Sequence, residues 1–271
     1  MQRVAVSPEV SLAVWRSGPA EGVPYLLVHG LASNAHLWDG VAQELAAAGH
    51  PVASADLRGH GQSSKPDGPY DVRTVAADLV PVLDALGFDD VVLAGQSYGA
   101  IVVLELARAL GSRVRAVGCI DGGHLALRDR WPVWEECAEL LAPPRTAGTH
   151  ASVVEGWIRG AHPDWPAAGI AGALACFEFR GDGTVAPWLS FENHLQVLRG
   201  LWECDTRALR QAVTQRVVLL TADDGSGAVR PELDQAAGEL QNGEVVLMVG
   251  DHDLHAQHPA AVAQVLFALS P

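Results

Sequence analysis

"VVLAGQSYGAIVV", residues 91–103, sets a lone serine between two glycines where an apolar strand gives way to a helix. Val91, Val92, Leu93 and Ala94 form a short apolar run without polar alternation, the pattern of a strand buried on both faces of a parallel sheet. From about Tyr98 onward, Ile101, Val102, Leu104, Leu106, Ala107 and Leu110 recur mostly at helical spacing. Between them Gly95-Gln96-Ser97-Tyr98-Gly99 reads G-x-S-x-G. In an elbow of this form the serine takes a strained backbone conformation, and the flanking glycines let neighbouring chain pass close by. Its hydroxyl then stands at a helix N-terminus, where backbone N–H groups favour a developing anion. An ordinary Gly-rich turn has the same spelling, so the rest of the chain must decide between the two.

Outward from this stretch the chain alternates. Short strands are expected at 3–6 and 11–16, a buried strand at 23–30, a helix at 37–49 and a strand at 51–61 running into a Gly-rich loop. An amphipathic helix over 74–87 is interrupted by Pro81, and a strand follows the serine helix at 115–123. The alternation then stops. Residues 124–210 read as helical pieces rich in Trp, Pro and Gly, without a clear strand. It resumes with a strand at 215–225, a helix near 231–240, a strand at 243–253 and a last helix from Pro259 to Leu269. This order predicts an α/β fold: a mostly parallel, eight-stranded sheet flanked by helices. The expected core is 1–123 with 211–271, and 124–210 is a helical cap inserted between two strands.

Bulk composition narrows the function. The 271 residues are 49% hydrophobic and carry a formal net charge of −14. Such a chain buries a sizeable core but has nothing to neutralise phosphates, which argues against nucleic acid and anionic membranes. The basic residues are 17 arginines and one lysine, Lys65. The start, MQRVAVSPEV, lacks an apolar signal region, and no apolar run approaches the roughly 20 residues of a membrane span. Cys119, Cys137, Cys176 and Cys204 lack metal spacing, and Cys119 lies in an apolar strand as a buried free thiol would. The expectation is a cytoplasmic monomer or homodimer acting on a small molecule.

Four motifs fall in order at strand ends, where open α/β sheets place their ligands. They are His29-Gly30, the stretch Asp56-Leu57-Arg58-Gly59-His60-Gly61-Gln62-Ser63, the G-x-S-x-G around Ser97, and Asp251-His252 with Pro259 seven residues beyond His252. In this combination the chain resembles the cap-bearing serine hydrolases of the α/β-hydrolase superfamily. The resemblance covers the full length for the fold and is weakest in the cap. It implies Ser97 as nucleophile and His252 as its base, in the Ser…Asp…His order of that fold. It also implies an oxyanion hole from the N–H groups of Leu31 and Tyr98, and a scaffolding role for Asp56, ion-paired Arg58 and His60. The stretch HDLHAQH sets His252, His255 and His258 three apart, as a metal tract might. Zinc helices favour i, i+4 histidines, and no further His/Cys cluster completes a set, so no metal is expected.

The third member of the triad is open between two positions. Most members of the superfamily place the acid after the later strand, where Asp224 lies 28 residues before His252. There, however, Gly225 stands where the usual aspartate would fall. A minority place it at the earlier strand end, where Asp121-Gly122-Gly123 stands. The shortened turn tips the reading to Asp121, with Asp224 the alternative.

Six of eight tryptophans lie in the insertion, with Phe177, Phe179 and Phe191. Most should form the cap's own core. Trp131, Trp134, Trp157 and Trp188, with His194 and Arg180, are the candidates to face the substrate, which such a roof would favour as apolar or aromatic. The implied activity is hydrolysis of an ester, lactone or related acyl bond without a cofactor. Serine at the elbow argues against haloalkane dehalogenase or epoxide hydrolase chemistry, which needs a carboxylate there. The alternatives are carbon–carbon bond hydrolysis, perhydrolysis, lyase or cofactor-free oxygen chemistry with the same triad, or a non-catalytic binding protein.

Overall fold

The structure is a computed structural model, and it describes residues 1–270. Ten strands form: β1 (Gln2–Ala5), β2 (Ser11–Ser17), β3 (Tyr25–Val28), β4 (Val52–Ala55), β5 (Val91–Gln96), β6 (Val114–Ile120), β7 (Phe177–Phe179), β8 (Val185–Pro187), β9 (Arg216–Asp223) and β10 (Asn242–Val249). Eight of them make one sheet in the order β1-β2-β4-β3-β5-β6-β9-β10, and β7 and β8 pair as a separate hairpin. β2 runs antiparallel to both its neighbours, while every pair from β4 to β10 is parallel.

Period-two alternation divides the strand side chains between two cores. Leu26, Val28, Leu93, Val117 and Leu219 pack on one face with the helices Val72–Ala77, Leu79–Leu86 and Tyr98–Leu110. Tyr25, Leu27, Val92, Ala116 and Leu220 pack on the other with the helices Asp39–Ala47 and Pro259–Phe267. Both faces are thus covered, as the unbroken apolar strand runs require. Truncating a buried leucine such as Leu93 to alanine would cost about 2–5 kcal/mol.

The helix expected over 74–87 is two helices that part at Asp78, before Pro81 rather than at it. A proline ring clashes with the carbonyl four residues earlier, here that of Ala77, where the first helix ends. The break presents Asp78 to Arg58, whose guanidinium takes both carboxylate oxygens at 2.5 and 2.6 Å.

Between β6 and β9 no strand joins the central sheet. The segment is not purely helical, since it holds the β7–β8 hairpin beside the helices Trp134–Leu140, Ala151–Ala161, Ala167–Leu174 and Phe191–Glu203. Ala167–Leu174 packs on the turn Ala35–Trp38 and on Leu254–Gln257. The helix Thr206–Ala212 packs instead on Tyr98–Leu110 and Arg230–Glu239, so it sits with the core elements.

Parallel register brings the important strand ends level. Val28 pairs with Gly95, Gln96 with Ile120, and Ile120 with Leu220. The residues that follow, His29, Ser97, Asp121 and Thr221, therefore emerge along one edge.

Candidate active site

Ser97 has φ +53° and ψ −116°, left-handed for a non-glycine residue, a conformation costing on the order of 1–3 kcal/mol. Its backbone N–H donates to Ile120 O at 2.9 Å, fixing the end of β5 against β6. Tyr98 then opens a 13-residue helix in which the serine side chain makes no capping bond. The Tyr98 N–H is one of the donors a helix leaves unpaired at its first turn. Tight packing explains the glycines. A Cβ on Gly99 would lie 2.4 Å from Val28 O, and one on Gly122 would lie 2.5 Å from Ser97 O.

His252 follows β10 and is exposed. Its Nδ1 lies 2.5 Å from Asp121 Oδ2, and this hydrogen bond is the main reason its pKa stands above the ordinary histidine value. The other Asp121 oxygen accepts the Ala222 N–H at 2.9 Å, so β9 holds the carboxylate in place. Asp121 has φ +41°, in the left-handed region. Gln96 Nε2 donates to His252 O at 3.1 Å. Asp224 is exposed, and its Oδ1 accepts the Ser226 N–H at 2.9 Å within its own turn. Asp223 takes the Gly225 N–H at 2.7 Å.

Two buried histidines shape the loop that carries Leu31. His29 Nδ1–H donates to Gly30 O at 2.7 Å, leaving Nε2 to accept the Leu57 N–H at 3.0 Å. His60 Nδ1–H donates to Arg58 O at 2.9 Å, and its Nε2 accepts the Ala32 N–H at 3.3 Å. Acceptance requires neutral rings. Burial supplies that condition by lowering the pKa of His29 to about 4 and of His60 to about 3. Asp56 accepts the Ala35 and Gln62 N–H groups at 2.8 and 2.7 Å, tying together the same loops.

Ser97 and His252 line one cavity of about 280 Å³ with Leu31, Leu37, Ile158, Trp165 and Phe177. The expectation that Trp131, Trp134, Trp157 and Trp188 face the substrate is corrected. None is among the residues lining this cavity or the one that adjoins it. Trp134 packs edge-on against Trp202, whose Nε1–H donates to Trp131 O at 2.7 Å, so these rings form a core inside the insertion. Trp157 is 56% exposed, and Trp188 lies beneath the Lys65 ammonium. His194 and Arg180 line the adjoining cavity. The tryptophan at the site is Trp165, whose Nε1–H donates to Asp251 Oδ2 at 2.8 Å and whose ring stacks 3.8 Å from that of His162. The reading also missed His162 and Asp253, which line the cavity. The only sequence signal for Asp253 is its place beside His252.

Among the described residues no three His, Cys, Asp or Glu side chains gather as a metal site. His255, at 0% exposure, lies with its ring 4.4 Å from Trp38, away from any such arrangement. Among the described residues no helix is long and apolar enough to cross a membrane.

A family model described as the alpha/beta hydrolase fold matches residues 24–143. Epoxide hydrolase A of Mycobacterium tuberculosis is 34% identical over 122 residues, 44% of this chain and 38% of that protein. Lipase LipV of the same organism is 32% identical over 112 residues, 41% of this chain and 42% of that protein. The chain thus matches about two fifths of the length of these relatives. Among solved structures, a thioesterase domain from the curacin biosynthetic pathway superposes with a TM-score of 0.82 at 20% identity, over 98% of each chain. The hydrolase of E-2-(acetamidomethylene)succinate gives 0.78 at 23% identity, over 99% of this chain and 97% of that one. With its parallel sheet, strand order and serine at the end of β5, the chain has the α/β-hydrolase fold.

Proposed function

We propose that the chain is a cofactor-free serine hydrolase that cleaves an ester, lactone or related acyl bond of a small, largely apolar substrate. One observation carries the reading: His252 Nδ1 sits 2.5 Å from Asp121, while His252 and the strained Ser97 line the same cavity. A base whose outer nitrogen is fixed by a carboxylate presents its other nitrogen in one tautomer, which is what activation of a hydroxyl demands.

Ser97 Oγ attacks the acyl carbon as its proton passes to His252 Nε2. Asp121 holds Nδ1–H and stabilises the imidazolium. The Leu31 and Tyr98 N–H groups receive the oxyanion, each worth about 3 kcal/mol in the transition state. His252 returns the proton to the leaving group. Water then attacks the acyl-enzyme with His252 again as base.

Leu37, Ile158, Ala173 and Phe177 give the cavity apolar walls, which supports an apolar acyl or aryl group. Epoxide opening through a covalent carboxylate ester is set aside because position 97 is serine. Lipase and hydrolase relatives support hydrolysis in general, and the substrate is inferred from the cavity. Turnover of short-chain aryl esters by the wild-type chain, lost in Ser97→Ala, tests the reading. Wild-type rates in the purified variant would reject it.

A further inference from the structure

A second chamber adjoins the Ser97 cavity, and the two share Ala32, Cys176 and Phe177. It encloses about 410 Å³ and is lined by neither Ser97 nor His252. It therefore has room to bind a chain but no part in breaking a bond.

Its body is apolar, with Pro143, Pro187, Leu189 and Phe191 in the walls. Its charged groups are all of one sign. Arg145 and Arg180 line it, and no Asp or Glu does, in a chain whose net charge is −14. Arg145 lies with its Cζ 4.4 Å from the centre of the Phe191 ring, which holds the guanidinium against the wall. Among the described residues it has no salt-bridge partner. Arg180 is ion-paired with Glu178 at 3.6 Å, beyond hydrogen-bond length, so its N–H groups can still take a closer acceptor. Both arginines are exposed, so they stand at the chamber's solvent edge. Deeper in the wall, His194 is 6% exposed. Its Nε2–H donates to Leu141 O at 3.1 Å, and its Nδ1 has no partner.

The chemistry at Ser97 sets the direction. His252 must protonate the leaving group, so the leaving group belongs in the inner cavity beside His252. The acyl chain is then directed to the adjoining chamber, which shares Ala32 and Phe177 with the inner cavity. Asp253 lines the inner cavity and makes no side-chain hydrogen bond among the described residues. A second anion close to the scissile carbonyl would meet that carboxyl, whereas one at the far end of the chain meets two guanidinium groups.

From this arrangement we infer that the substrate's acyl chain ends in a carboxylate, which the outer chamber receives on Arg145 and Arg180. The inference rests on the acyl-transfer reading of Ser97. The probes are p-nitrophenyl monoesters of adipic, suberic and sebacic acids, each compared with the uncharged hexanoate, octanoate or decanoate. At one or more lengths the carboxylate ester should show about five-fold higher kcat/KM, the scale of solvent-edge ion pairs acting together. In the double variant R145M/R180M the ratio of kcat/KM on the carboxylate ester to that on the uncharged ester of the same length should fall to about one. Added salt at 0.5 M, which shortens the Debye length to about 4 Å, should also erode it. A preference for the uncharged ester at every length, or one unchanged in the double variant, overturns the proposal. Failure of the underlying reading has a different signature: no ester is turned over and a fluorophosphonate leaves Ser97 unlabelled. Labelling of Ser97 without a carboxylate preference rejects the outer-chamber assignment alone.

Discussion

His252 meets Asp121, at the end of β6, and not the later-strand Asp224. Its Nδ1 is 2.5 Å from Asp121 Oδ2, whereas the Asp224 carboxylate takes a backbone N–H of its own turn. If Asp121 fixes the tautomer of the base, Asp121→Asn should lower ester kcat by about 10⁴-fold, the scale seen when this role is removed from another serine hydrolase fold. Asp224→Asn should stay within about two-fold, as surface changes do. Steady-state rates of the two variants decide the point, and the reverse ranking would move the acid to β9.

The hydrogen bond to Asp121 holds the His252 pKa above its ordinary value of about 6.5. A base must be neutral to accept the Ser97 proton. Ester kcat/KM should therefore rise with pH through a midpoint above 6.5 and then level off. Asp121→Asn should shift that midpoint downward. Initial rates between pH 5 and 9 measure both, and a rate already level at pH 6 would contradict the assignment.

Three histidines buried in neutral form link stability to acid. His29, His60 and His255 have pKa values lowered by burial to about 4, about 3 and about 3. In the unfolded chain each takes up its proton near pH 6.5, so their contribution is fully present above that pH. It is lost as pH falls toward the folded values, by up to about 1.4 kcal/mol per pH unit for each ring. Urea unfolding at pH 7.5, 6 and 5 should show this decline. Both ring nitrogens of His255 lack partners, so His255→Leu should flatten the curve and leave stability at pH 7.5 equal or higher. A loss of more than about 2 kcal/mol in that variant would contradict it.

Gly122→Ala places a methyl 2.5 Å from Ser97 O and 2.8 Å from Ser97 Cα, both backbone atoms that cannot step aside. The elbow must shift, so turnover should fall at least ten-fold with about 1–3 kcal/mol of destabilisation. Rates and urea midpoints read it, and a neutral outcome would mean that the elbow is looser than drawn.

The fold was legible because its strands are buried on both faces. Runs such as Tyr25–Val28 and Val91–Ala94 carry no polar interruption, and each is followed by a helical period and a glycine stop. Ser97 and His252 were legible for a related reason, since both sit at strand ends flagged by glycine or proline. The shortened turn at Gly225 tipped the choice between Asp121 and Asp224, but the geometry that seats the acid is tertiary: the left-handed φ of Asp121, and the bonds that tie up Asp223 and Asp224. Local propensity reports neither. The cap was read least well. Its short helices each bury a small face, so composition alone does not separate Trp157, which faces solvent, from Trp165, which is pinned to Asp251.

The central claim, that Ser97 is a nucleophile activated by His252, is tested most directly by covalent labelling. The purified chain is treated with a fluorophosphonate and its peptides are weighed by mass spectrometry. The account predicts one phosphonyl adduct, on the peptide holding Ser97, absent in Ser97→Ala and slowed by orders of magnitude in Asp121→Asn. An unlabelled Ser97 in folded protein, or equal labelling in the alanine variant, would contradict it.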